Sequence, residues 1–219
     1  MSHFCVYVFH DKNTSVHNLL SYYDEKITMK PYVEYTKEEA IANVRKEIED
    51  YKNGTYAKYL KDPISYEEKY GNCKEHIKYL KKDFPKMLKW TDKQCYNFKA
   101  RYYKDDGMID KDGNLLSTYN PNSKWDWYVI GGRWNGGLAM NLKTKKSGNE
   151  CKVSQIDMKK IDAPYAFIAP NGNWIERGQM GWFGISSNDK DEKAWNREFK
   201  KFLKTQNKST IVTVVDCHI

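Results

Sequence analysis

The sequence predicts an α+β fold in which a mostly antiparallel sheet contains both the N-terminal and the C-terminal strand. Three observations carry that prediction. Both chain ends are runs of β-branched and aromatic residues. Two stretches combine amphipathic spacing with capping residues. The region between them alternates short strand signals with turn residues. The resulting order (strand, helices, several strands, helix, strand) is that of an α+β domain rather than of repeated βαβ units.

In chain order, HFCVYVFH (His3 to His10) reads as a buried strand, followed by a polar loop and a short helix around Val16 to Tyr23. YTKEEAIANVRKEIEDYKNG gives the clearest helix. Thr36 and Glu39 form a capping box, Ala40, Val44, Ile48 and Tyr51 share one face, and Gly54 ends it. Two more helices are predicted over Tyr66 to Lys82 and Asp92 to Tyr103, with Pro63 and Pro85 as punctuation. The segment of about 36–103 is therefore a helical insertion or lid packed on the sheet. No flexible linker isolates it, so residues 1–219 count as one domain.

From Asp105 turn residues dominate. DKDG (Asp110 to Gly113) reads as a hairpin tip, without the twelve-residue ligand spacing and closing glutamate of a calcium loop. Strand signals recur at Trp125 to Ile130, Leu138 to Leu142 and Cys151 to Ile156, then in PYAFIA turning through Asn171 and Gly172 into WIERG. NDKDEKAWNREFKKFLKTQ is a second capped helix, with Asp189 and Glu192 at its start and Trp195, Phe199, Phe202 and Leu203 inward. STIVTVVDCHI closes the chain as a strand.

The chain has 219 residues, 40% hydrophobic and 15% aromatic, enough to bury a sizeable core. Its mean hydropathy of -0.87 reflects lysine content rather than disorder. There is no membrane-spanning apolar run and no signal-peptide layout, so no membrane partner and a cytoplasmic location are expected. Five scattered cysteines without C-x-x-C argue against a disulfide framework or a zinc site, and no metal or other cofactor is expected. The net charge of +8 is spread along helices among acidic residues. That pattern describes a solvated face, with a nucleic-acid groove as the alternative.

Arginine is rare, five residues against 32 lysines. An arginine held in KWDWYVIGGRWNGG (Lys124 to Gly137) therefore points to a need for its planar fork. Alternation would put Trp125 and Trp127 on one strand face and Asp126 with Tyr128 on the other. Gly131 and Gly132 would let the backbone bend or approach a ligand closely. With Arg133 and Trp134, this suits a ligand bearing a flat ring and an anion, a nucleotide-like small molecule; a buried aromatic corner is the competing reading. ERGQMGWFG (Glu176 to Gly184) repeats the texture with Arg177 and Trp182. Neither stretch is a P-loop or a dinucleotide fingerprint.

At the chain ends, Asp216 and His218 share one strand face, as do His3 and Cys5. If the terminal strands pair antiparallel, His3 comes near His218. Two imidazoles could then act as acid and base, with Asp216 fixing a tautomer. Cys217 points the other way from His218 and cannot pair with it.

The opening MSHF, PYVEYTKEEA, the central NPNSKWDWYVIGGRW, the ERGQMGWFGI loop and the closing TVVDCHI resemble, over the whole chain, a family encoded mainly by bacteriophages and some bacterial genomes. Its members begin with a Met-Ser-His-Phe strand and end in Val-Val-Asp-Cys-His-Ile. They commonly carry threonine where this chain has Cys5. His-x-Thr would be similar to half of a two-histidine phosphoesterase, and Cys5 departs from it. The resemblance implies a phage-type protein in the host cytosol; by analogy, it would sequester or cleave a host immune nucleotide signal.

Three functions follow as expectations. The first is an anti-defence protein that binds a nucleotide-like ligand through Trp125, Asp126, Trp127, Gly131, Gly132, Arg133, Trp134, Arg177 and Trp182. The second is a metal-independent phosphodiesterase or nuclease using His3, His218 and Asp216. The third is an interaction protein that blocks a host protein or binds nucleic acid through its basic helices.

Overall fold

The computed structural model describes residues 2–143, 146–181 and 185–219. The chain divides into two compact units. One is built from the two ends of the chain, up to Thr28 and from Tyr119 onward; the other is Met29–Thr118, which contains the helical segment.

The first unit holds a six-stranded sheet. Its centre is the antiparallel pair of His3–His10 and Ile211–His218, in register from His3 opposite His218 to His10 opposite Ile211. Trp127–Ile130 and Glu150–Lys152 both pair antiparallel with the last strand. Ala166–Ile168 pairs parallel with the first strand and antiparallel with Trp174–Glu176. That parallel pairing makes the sheet mixed rather than purely antiparallel.

Side-chain alternation splits the core in two. Phe4, Val6, Val8, Val215 and Cys217 face the short helix Val16–Ser21 through Leu19 and Leu20. Cys5, Tyr7, Phe9, Val212 and Val214 face the helix Glu192–Thr205 through Trp195, Phe199 and Leu203. Each of these large side chains contributes about 1.5–3 kcal/mol by leaving water. Trp195 also satisfies its indole N–H on the Pro164 carbonyl at 2.7 Å. The helix is capped by Asp191, which accepts from the Ala194 N–H, and not by Asp189 as its sequence predicts. Asp189 instead accepts from the Ser186 hydroxyl.

In the second unit, Lys37–Tyr51 and Asp92–Asp105 pack around Val44, Ile48, Phe84 and Cys95. Both helices start with capping boxes, Thr36 with Glu39 and Thr91 with Gln94. The stretch predicted as one helix over 66–82 is broken: Pro63–Tyr70 ends before Gly71 and Asn72, and the chain resumes as Lys74–Lys78. Gly and Asn are poor helix formers, and adjacent they outweigh the apolar spacing around them. Surface ion pairs here include Lys46–Asp50, Lys78–Glu75 and Lys81–Glu67. Among the described residues no helix is long and apolar enough to cross a membrane.

Candidate functional site

The register of three neighbouring strands lines up Trp127, His218 and His3 in one cross-strand row. Strand periodicity puts this row, with Asp216 and Cys5, on the face that carries the Glu192–Thr205 helix. His3 Nδ1 lies 2.8 Å from Asp216 Oδ1, and His218 Nδ1 lies 2.6 Å from Asp126 Oδ1. A carboxylate can only accept, so each Nδ1 carries the proton and each neutral ring presents its lone pair at Nε2. The two ring centroids are 5.1 Å apart at 74°. Trp127 stacks against His218 at 5.3 Å and 17°, and meets His3 edge-on at 5.2 Å. His218 Nε2 is buried without a hydrogen-bond partner.

The glycine turn serves the carboxylate. Gly131 (φ +76°) and Gly132 (φ +50°) lead into a single 3₁₀ turn, Gly132–Trp134. This aims the Arg133 backbone N–H at Asp216 Oδ2, at 2.9 Å. A Cβ on Gly132 would fall on the Asp216 side chain, so close approach as well as handedness requires glycine here. Asp216 thus holds His3 with one oxygen and is itself held through the other.

His3 opens onto a cleft of about 630 Å³ that Cys5, Trp134, Lys160, Tyr165 and Arg177 also line. Asp162, Asp189 and Glu192 share its wall. Burial, with Asp216 alongside, pushes the Cys5 thiol up to about 12, which disfavours its thiolate. Burial raises Cys217 likewise. Arg177 is steadied by its Nε–H on the Lys190 carbonyl at 3.2 Å.

The candidate residues therefore separate. His3, His218 and Asp216 come together, joined by Asp126 and Trp127; Trp134 and Arg177 line the adjoining cleft. Trp125 does not share a face with Trp127. The strand begins only at Trp127, and Trp125 is buried against Leu19 and Leu20 with its indole N–H on the Leu20 carbonyl at 3.1 Å. Arg133 has an exposed side chain and does not line the cleft; its contribution is the backbone N–H. Trp182 lies outside the described residues. Sequence reading counts Asp126 as a ligand group and has no place for Lys160 or Tyr165. Nothing in their local sequence marks these two, because only tertiary folding brings them to the cleft.

Among the described residues no group of three or more His, Cys, Asp or Glu side chains is arranged to hold a metal ion. No family model, curated protein or solved structure significantly matches this chain. The geometry of the imidazole row is therefore the basis for a functional reading.

Proposed function

We propose that this chain performs metal-independent acid–base chemistry on a nucleotide-like phosphodiester, with His3 and His218 as the proton-exchanging pair. The observation that carries the reading is the pair of adjacent imidazoles, each with its Nδ1–H on a separate carboxylate. Such anchoring fixes both tautomers: His3 faces the cleft, and the buried Nε2 of His218 would have to be uncovered as the substrate binds. One neutral ring takes a proton from the attacking hydroxyl, and the other, protonated, donates to the departing oxygen. Each such transfer contributes about 10²- to 10⁴-fold to rate. Lys160 and Arg177 supply positive charge for a phosphate, and Trp134 supplies flat apolar surface for a base.

The test is turnover of RNA and of cyclic and linear dinucleotides in the presence of EDTA. His3→Ala and His218→Ala should each abolish cleavage while leaving ligand binding in place. Absence of EDTA-resistant cleavage of any of these substrates would refute the reading.

A second reading is favoured by the burial of His218 Nε2, which leaves His3 as the imidazole facing the cleft. On that reading the cleft holds a nucleotide-like ligand without turnover, as a phage-type protein sequestering a host immune signal would. Heat release of an intact small molecule in one-to-one amount, identified by mass spectrometry, separates it from the first.

A further inference from the structure

The face of the Glu192–Thr205 helix away from Trp195, Phe199 and Leu203 carries Lys193, Arg197, Lys200, Lys201 and Lys204. Their spacing puts all five in one stripe spanning about 16 Å of helix. They line a groove of about 670 Å³ with Asn196 and Asp162. The ion pair on this helix is Lys190 with Glu198; among the described residues none of the five has an acidic partner. Asp162 and Asn196 also line the His3 cleft, so groove and cleft adjoin at these two residues.

We propose that this helix is a track for the phosphates of a single-stranded nucleic acid whose reactive phosphodiester occupies the His3 cleft. The cleft has the size of a small-ligand site, which admits an unpaired nucleotide and not a duplex. The stripe supplies sequence-independent backbone affinity of the kind lysine and arginine rows provide. The chemical half of the proposal rests on the acid–base reading of His3 and His218. Cys5 is buried in the core, and the nucleophile in this step is the substrate's own hydroxyl. In RNA the 2′-hydroxyl gives its proton to one imidazole as its oxygen bonds to phosphorus. The bond from phosphorus to the 5′-oxygen then breaks as the other imidazole protonates that oxygen, leaving a 2′,3′-cyclic phosphate.

The experiment is fluorescence anisotropy of labelled RNA and DNA oligonucleotides of one sequence, titrated with the full chain across salt, alongside gel analysis of the RNA. Five cations against Asp162 neutralise about four phosphates, so affinity should fall roughly 50-fold between about 50 and 200 mM salt. RNA and DNA should bind alike, and only RNA should be cut. Replacing all five cations by glutamine should flatten the salt dependence and slow cleavage of the oligomer, but not of a dinucleotide. Lys200→Glu with Lys204→Glu provides a second, lighter variant, and circular dichroism checks that both remain helical. Salt-insensitive binding, or unchanged binding by both folded variants, overturns the track. Salt-dependent binding lost in the variants, but with no RNA cleavage by the unaltered chain, leaves the track standing and overturns the acid–base reading instead.

Discussion

Gly132→Ala perturbs the site at one methyl group, and its cost can be worked from the structure. The backbone at this position has φ +50°, where an L side chain costs about 1–2 kcal/mol. The added Cβ would also meet Asp216 Cβ, bonded directly to sheet backbone, at 2.5 Å and Val129 Cγ1, one bond further out, at 2.8 Å. Overpacking of that kind costs a further ~1–3 kcal/mol. Gly172 provides the control in the same unit: φ is +88°, but its nearest neighbour, Leu19 Cδ2, is at an ordinary 4.0 Å. Gly172→Ala should therefore lose only the backbone part. Gly132→Ala should lose about 1–3 kcal/mol more, a further fall in Tm of about 2–12 °C by calorimetry. Displacing Asp216 also releases His3 Nδ1, so turnover should fall with stability. Equal destabilisation by the two variants, within about 0.5 kcal/mol, would refute the argument that the turn is glycine because Asp216 lies against it.

Three further outcomes are expected. Asp216→Asn leaves the fold but replaces the acceptor that fixes the His3 tautomer, and should lower turnover about 10²- to 10⁴-fold with an altered pH–rate profile; an unchanged profile would place Asp216 outside the proton transfers. Ellman's reagent at pH 8 should titrate the exposed Cys73 quickly and the four buried cysteines only after denaturation; fast labelling of Cys5, whose thiol burial pushes up, would contradict its burial. Thr36→Ala and Thr91→Ala each remove a capping box and should destabilise the helical unit by about 1 kcal/mol in urea, with additive effects if the two caps act independently.

What could be read from the sequence was whatever is encoded by neighbours in the chain. The Thr36 capping box, the buried face of the Glu192–Thr205 helix and both terminal strands follow from spacing alone. So does the shared face of Asp216 and His218, because strand period is fixed by backbone geometry. The face of Trp125 was not legible, since it depends on where pairing begins, and the last strand pairs from Trp127 onward. The parallel pairing of Val6–Val8 with Ala166–Ile168 joins segments about 160 residues apart and leaves no local trace. Arg133 shows the limit of reasoning from rarity. The residue is special to the site through its N–H, a group every residue but proline carries; the requirement for glycine before it is the part the sequence displays.

The hydrogen bond between His3 and Asp216 spans 213 positions of the chain, and His218 closes on Asp126 over 92. During synthesis the first imidazole emerges long before its carboxylate and its partner ring, which leave the ribosome some two hundred residues later. Until then the first strand lacks its antiparallel neighbour, and neither imidazole row nor adjoining cleft wall can form. Docking of the last strand is therefore also the moment at which the imidazole row assembles.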